Sequence, residues 1–149
     1  MPTHFRGSEK EVRALNAYIN FMRAAESVAA RMQRLLPGGL TVSQFGVLET
    51  LFHLGPLCQK DIAAKILKTG GNLTMVIDNL EKQGWVERRR DGADRRFVSV
   101  HLTAAGRETV KKILPGHIAA IVREMGALAP AEQDALRDFA RRLGAPRPH

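Results

Sequence analysis

The sequence is poor in several features that define whole classes of protein. It has one cysteine, Cys58, so an internal disulfide is impossible and nothing points to an oxidising compartment. No run approaches the roughly 20 apolar residues that a membrane-spanning helix needs. The first residues also lack the apolar centre of a secretory signal. The sequence therefore predicts a cytoplasmic protein with no membrane partner.

Aromatic residues and acidic residues are also scarce. Aromatics make up 5% of the chain against 44% hydrophobic residues, which favours packed helices over a β-sandwich. The 15 acidic residues are outnumbered by 23 basic ones, and a net charge of +8 favours a polyanionic partner such as nucleic acid. GxSxG, P-loop, HExxH, CxxC and HxxxH patterns are lacking. We therefore expect neither an enzyme nor a cofactor or metal site.

Long amphipathic helices are expected at both ends of the chain. Apolar residues recur every three or four positions over residues 9–36, and again in a long helix after Thr103 and in a final helix from Pro130. Pro115 lies inside the long helix, where we expect a kink or local break. Because these stripes exceed what a small domain needs for its own core, a second copy is expected to cover them. Residues 9–36 and 104–144 would form a helical dimerisation domain.

Residues 41–103 show the pattern of a winged helix-turn-helix. Thr41 and Gln44 form a capping box for one helix, and a short helix over 59–67 precedes another over 70–83, with Thr69 placed to cap the latter. Strands over 85–90 and 97–102 follow, joined by the turn DGAD. The fold class is therefore mainly α with a small β-hairpin wing. The helix over 70–83 buries one stripe, formed by Leu73, Val76, Ile77 and Leu80.

The opposite face of that helix and the hairpin are suited to DNA. The helix face is mostly uncharged at its N-terminal end, where base edges are usually read. Arginines crowd the hairpin turn, and guanidinium groups bind phosphates and enter narrow minor grooves. Asp94 would orient one of these arginines. The predicted DNA-binding residues are Thr69, Gly71, Asn72, Thr74, Met75, Asp78, Arg88, Arg90, Asp94, Arg95 and Arg96.

These segments together resemble the MarR family of bacterial transcriptional regulators. The similarity covers roughly residues 9–143 and is carried by LTVSQFGVLETL, GPLCQKDIAAKI, GGNLTMVIDNLEKQGWVERR and DRRFVSVHLTAAG. The resemblance implies a homodimer that binds double-stranded DNA at an inverted repeat. It also implies repression that ends when a small phenolic or aromatic ligand binds between the domains. The start TGGN of the recognition helix is similar to a subset that senses quinone-type or aromatic compounds.

Candidate effector-sensing residues have a plainer interpretation as well. A ligand pocket could use Tyr18, Met22, Phe45, Phe52, His53 and His117, or these residues could be ordinary core and surface groups. Cys58 could be a redox switch, because a thiol at a helix N-terminus can be reactive, or an inert replacement for a capping serine. A redox-responsive repressor and a winged-helix module for RNA or protein are the alternative functions. A metal-sensing regulator would need a thiol or histidine cluster.

Overall fold

A computed structural model describes residues 2–66, 72–90 and 96–148. Within these ranges the chain forms six α-helices and a three-stranded antiparallel sheet, which confirms the predicted mainly α fold with a small β wing. The elements in chain order are α1 (Glu9–Leu35), α2 (Val42–Leu54), β1 (Leu57–Cys58), α3 (Gln59–Lys65), α4 (Leu73–Lys82), β2 (Val86–Arg90), β3 (Val98–Leu102), α5 (Ala104–Met125) and α6 (Pro130–Gly144).

Three helices begin at side-chain caps that satisfy backbone N–H groups left unpaired by the first turn. The Ser8 hydroxyl accepts from the Glu11 amide, while the Glu11 carboxylate accepts from the Ser8 amide at 2.8 Å. This backbone hydrogen bond from Ser8 is the main reason that the pKa of Glu11 is lowered. Thr41 and Gln44 form the predicted reciprocal box at the start of α2. Thr103 caps α5 by accepting from the Gly106 amide.

The core lies within the middle of the chain, around α2. That helix places Phe45, Val47, Leu48 and Leu51 against apolar side chains from its neighbours, and burying one such side chain contributes about 1.5–3 kcal/mol. The fully buried partners from the other elements are Ile62, Leu73, Ile77, Leu80, Val86, Val100 and Val110. Because α3, α4 and the sheet share this core with α2, the helix-turn-helix and the hairpin are held together by one packed interior.

The sheet has the order β1-β3-β2, so β3 is paired on both sides. In the hairpin Val86 faces Leu102 and Arg90 faces Val98, while β1 pairs Leu57 with Val100. β2 and β3 were predicted, but β1 was not. Two residues are too few to show the alternation that marks a strand.

Two other predictions need correction. The helix predicted over 70–83 begins at Leu73, with Asn72 at its N-cap position. The predicted cap, Thr69, lies outside the described residues. Of the kink or local break predicted at Pro115, the break is wrong, because α5 runs through this residue as one helix, and the kink stays a prediction. A proline removes one helical hydrogen bond. Before Pro115 the buried Val110 packs into the core around α2, and after it His117 packs against Phe45 of α2.

The N-terminus of α5 packs very closely against the end of the turn that follows α4. The Thr103 amide donates to the Trp85 carbonyl at 3.1 Å, and the Thr103 hydroxyl donates to the Gly84 carbonyl at 2.6 Å. A Cβ atom at Gly106 would overlap the Trp85 carbonyl oxygen. A glycine is therefore required there by close backbone approach, and this contact fixes the base of the wing against α5.

Candidate nucleic-acid interface and ligand cleft

The exposed face of α4 presents uncharged side chains near its N-terminus. Leu73, Ile77 and Leu80 are buried on one side, as the sequence pattern predicts. On the other side Asn72, Thr74 and Met75 are exposed, with 65% of Met75 accessible. The Gln59 side-chain amide at the start of α3 donates to the Thr74 hydroxyl at 2.7 Å. This bond links the two helices of the helix-turn-helix and fixes the position of the Thr74 hydroxyl.

Arginines follow one another along β2, beside α4. Arg88 reaches back to α4, where its Nη1 lies 2.7 Å from Asp78 Oδ1 and 3.1 Å from Glu81 Oε1. Arg89 points to the other face of the strand and forms an ion pair with Glu87. Arg90 ends the strand, and Arg96 with the exposed Phe97 precedes β3. The described members of the predicted DNA-binding set thus lie on α4, at its N-cap and on the hairpin, with Asp78 and Arg88 bound to each other.

Four members of the predicted DNA-binding set lie outside the described residues. These are Thr69, Gly71, Asp94 and Arg95.

A cleft of about 710 Å³ opens between α1, α2, α3 and α5. His117 of α5 packs edge-on against Phe45 of α2, with 4.6 Å between ring centroids, and both line the cleft. Sequence reasoning did not single out its other lining residues, since they mix polar and apolar side chains from α1, α2 and the end of α3 and give no periodic signal. They are Ala29, Gln33, Thr41, Val42, Ser43, Gly46, Glu49, Thr50, Lys65 and Ile66.

The structure does not bring together all six residues that were predicted to form a pocket. Phe52 stacks edge-on against its neighbour His53, and the Arg107 guanidinium lies over the Phe52 ring at 5.5 Å. His53 Nε2 lies 3.7 Å from a carboxylate oxygen of Glu49. Tyr18 and Met22 are exposed on α1. Of the six, only Phe45 and His117 are among the residues that line this cleft.

Cys58 lies at the junction between β1 and α3. It occupies the N-cap position of α3, as predicted, but its side chain makes no capping hydrogen bond. Its backbone pairs with Ser99 of β3, and the residue is half-buried. Among the residues that the structure describes, no cluster of three His, Cys, Asp or Glu side chains could hold a metal ion. No helix in those same ranges is long and apolar enough to cross a bilayer.

An ion pair joins α1 to α5. Arg31 Nε donates to both carboxylate oxygens of Glu124, at 2.8 and 3.0 Å. This hydrogen bond holds the pKa of Glu124 below its ordinary value of 4.5 and raises the pKa of Arg31. The pair fixes α5 relative to α1 near one end of the cleft, because Ala29 and Gln33, which line the cleft, lie on either side of Arg31 in the sequence.

Helices α1 and α6 expose an apolar face. Between them lies a groove of about 290 Å³ whose walls are almost entirely hydrocarbon and aromatic. The lining residues are Ala14, Ala17, Tyr18, Phe21, Leu136, Phe139, Ala140 and Leu143. In the described part of the single chain, Phe139 and Tyr18 remain more than half exposed. Contiguous apolar surface of this kind marks an interaction site in a folded protein.

Known proteins with similar sequences are transcriptional regulators, in agreement with this geometry. A sequence model of the MarR family matches residues 40–98. Two relatives come from Bacillus subtilis (strain 168). The uncharacterized HTH-type transcriptional regulator YkoM is 40% identical over 139 residues, which are 92% of this chain and 90% of YkoM. The HTH-type transcriptional regulator MhqR is 30% identical over 133 residues, which are 89% of this chain and 92% of MhqR.

Two solved structures have the same fold with detectable sequence similarity. Sco3205, a MarR family transcriptional regulator from Streptomyces coelicolor solved in complex with DNA, is 25% identical with a TM-score of 0.82, covering 94% of this chain and 89% of its own. BpsR from Bordetella bronchiseptica is 28% identical with a TM-score of 0.79, covering 87% and 98%. DNA binding by BpsR is regulated by 6-hydroxynicotinic acid.

Proposed function

Because the chain belongs to the MarR family of transcriptional regulators, we propose that it is a homodimeric repressor that binds an inverted repeat in double-stranded DNA and is released by a small aromatic effector. Members of this family regulate transcription and are not enzymes. The proposal extends this family assignment to an oligomeric state, a mode of DNA reading and an effector class, each of which has separate support in the structure.

The exposed face of α4 is the observation that carries the proposal. An amide, a hydroxyl and a thioether project from its first turn at Asn72, Thr74 and Met75. Asn can bond adenine, and Thr and Met can contact the methyl group of thymine. The uncharged end of the helix would therefore read base edges. Arg90 and Arg96 of the hairpin would contact the flanking phosphates or the minor groove.

A second copy of the chain would cover the apolar face of α1 and α6. Tyr18 and Phe139 are large and exposed, and both line the groove between these helices. A two-fold axis through this face would present two α4 helices to two half-sites about one or more helical turns apart. This symmetry is why we expect an inverted repeat as the operator.

The cleft between α1, α2, α3 and α5 would hold the effector. Its volume of about 710 Å³ lies in the usual range for small-molecule sites, and an apolar wall with a few polar groups is typical of them. Lys65 supplies a positive charge and His117 a ring nitrogen, so an aromatic carboxylate or phenol would find partners for both ends. The regulation of BpsR by 6-hydroxynicotinic acid supports this effector class.

The effector would act through the spacing of the two recognition helices. If the occupied cleft favours a spacing of the two α4 helices that does not match adjacent major grooves, the effector weakens DNA binding. By linkage, DNA then weakens binding of the effector by the same factor. A coupling of about 1–3 kcal/mol, or roughly 5–150-fold, is typical of such linkage. No contact between effector and DNA is needed.

Selection of bound duplexes from a random DNA pool tests the central claim. We expect an inverted repeat to be enriched. Met75→Ala should then weaken binding to the selected duplex by about 1–3 kcal/mol and change binding to a mixed-sequence duplex little. Arg96→Ala is the matched control, which should weaken both and lower the salt slope by about 0.9 if it removes one phosphate contact. Enrichment of no sequence, or equal losses for Met75→Ala on both duplexes, would refute base reading by this face.

A further inference from the structure

Arg88 belongs to the arginine-rich strand, but its surroundings differ from those of a phosphate ligand. Side chains alternate between the two faces of a strand, so Arg88 lies on the same face of β2 as the buried Val86. That face packs against α4. Arg89 lies on the opposite face with Glu87, with which it pairs. The strand therefore directs the Arg88 side chain toward the recognition helix.

The contacts of Arg88 run along one stripe of α4. Its backbone amide donates to Glu81 Oε2 at 3.0 Å, and its Nη1 donates to Glu81 Oε1 at 3.1 Å. The same Nη1 lies 2.7 Å from Asp78 Oδ1, and Nη2 donates to the Thr74 carbonyl at 3.5 Å. Positions 74, 78 and 81 are three or four residues apart, so they are neighbours on the helix surface.

Asp78 and Glu81 place negative charge beside the surface proposed to bind DNA. Their side chains are 49% and 42% exposed, whereas that of Arg88 is 25% exposed. Nη1 has two hydrogens, which suffice for one bond to each carboxylate. A guanidinium in this position offsets the negative charge of both carboxylates. It also anchors β2 on α4, because the Glu81 carboxylate accepts hydrogen bonds from both the backbone and the side chain of Arg88.

We propose that Arg88 is a positioning residue, which joins the wing strand to the recognition helix and shields the Asp78 and Glu81 carboxylates from DNA, rather than a phosphate ligand. The inference rests on the proposed function and assigns a specific task within it. Arg88→Ala would remove the cation that both carboxylates share beside the DNA, together with the side-chain bonds that tie β2 to α4. Its effect on affinity would arise from those acids, so the removal of the acids should reverse it.

A double-mutant cycle on DNA affinity tests this assignment. Four proteins are compared at one fixed salt concentration: wild type, Arg88→Ala, Asp78→Asn with Glu81→Gln, and the triple variant. Anisotropy is measured on a labelled duplex selected by the wild type and on a mixed-sequence duplex. We expect Arg88→Ala to weaken binding on the order of tenfold, within the range of coupled neighbours. Removal of the acids should raise affinity at least about fivefold more in the Arg88→Ala protein than in the wild type.

The outcomes separate the possible explanations. Equal changes on removal of the acids in the two backgrounds would mean that Arg88 contacts DNA directly, and this would overturn the assignment. A lowered melting temperature with unchanged affinity below the transition would mean a merely structural contact, which overturns it too. Arg88→Lys keeps the charge but loses the planar guanidinium and its second nitrogen, which donates to the Thr74 carbonyl, so partial recovery relative to alanine supports the proposal and full loss opposes it. If the wild type binds neither duplex, the proposed function itself fails, whatever the cycle gives.

Discussion

The imidazole of His117 packs edge-on against the ring of Phe45, with 4.6 Å between centroids. Phe45 is 1% exposed and belongs to the core of the DNA-binding elements, whereas His117 is half-buried on α5. His117 also borders a second cleft of about 580 Å³, with Lys112 and Arg123 among its lining residues. A single histidine thus stands between two cavities and touches the core that positions α4.

This contact leads to a prediction for the effector. His117→Phe retains an aromatic ring against Phe45 but removes the ring nitrogens. An aromatic carboxylate or phenol bound in the first cleft should then bind about fivefold more weakly, because one hydrogen bond contributes about 1 kcal/mol. Calorimetric titration with salicylate, 6-hydroxynicotinic acid and hydroquinone measures the change. If His117→Phe leaves the affinity of every binding compound unchanged, the effector binds outside this cleft.

The rival cysteine switch requires its own measurement. Compounds that release the protein from its selected duplex should still release Cys58→Ser, because a ligand in the cleft needs no thiol. Peroxide and a quinone are included as oxidising probes. Release that depends on Cys58 and is produced only by these probes would favour the redox mechanism instead.

Dimerisation through the α1 and α6 face predicts an unequal effect of two similar substitutions. Leu143 and Leu54 are 53% and 55% exposed, on α6 and at the end of α2. Leu143→Glu should shift the protein toward monomer, because a desolvated carboxylate in an apolar interface is costly. Leu54→Glu should remain dimeric. Light scattering over a range of concentrations gives the masses. A wild type that stays monomeric as concentration rises would remove the basis for this prediction.

The close approach of Gly106 to Trp85 predicts opposite effects at two glycines of α5. Gly106→Ala should destabilise the fold by about 1–3 kcal/mol, since its Cβ would press on the Trp85 carbonyl. Gly116 has nothing within 4 Å of a Cβ position. Gly116→Ala should therefore stabilise the helix by about 0.5–1 kcal/mol. Urea unfolding reports both values, and destabilisation of equal size at the two sites would contradict the packing argument.

The Arg31–Glu124 pair predicts a pH dependence of stability. Because folding lowers the pKa of Glu124, its carboxylate adds stability that is fully present above the unfolded pKa of 4.5. This contribution is lost as the pH falls through the lower pKa of the folded state. The melting temperature of Glu124→Gln should therefore lie below that of the wild type at pH 7, with the gap closing in the acid range below 4.5. Glu108→Gln removes an exposed carboxylate from the same helix and controls for net charge.

The helices and their buried stripes could be predicted because local chemistry determines them. The reciprocal cap of Thr41 and Gln44, and the spacing of Leu73, Ile77 and Leu80, require only neighbouring residues. The partner of Arg88 could not be predicted this way. Seven and ten residues separate it from Glu81 and Asp78, and the contact exists only because the chain turns back at Gly84, where φ is 76°.

The residues that line the cleft between α1, α2, α3 and α5 were even harder to predict from the sequence. Phe45 and His117 were predicted as pocket residues from residue type and helix assignment, and the structure places both in one cleft. Tyr18 was grouped with them because it is aromatic and lies on α1. The orientation of α1 about its own axis places Tyr18 in the groove between α1 and α6 instead. Aromatic residues on converging helices can thus belong to separate surfaces, and sequence pattern alone does not fix which one.

The short strand β1 has a mechanical consequence. By pairing with β3 it ties the start of α3 to the hairpin on the side away from β2. The helix-turn-helix and the wing are therefore coupled through the sheet as well as through their common core, and we expect them to move as one rigid unit. We expect this unit to pivot where the core contacts α5 and α1. A small tilt produced at the His117 cleft would be magnified at Met75 and Arg96, so an effector of modest size could move the DNA-reading ends without deforming them.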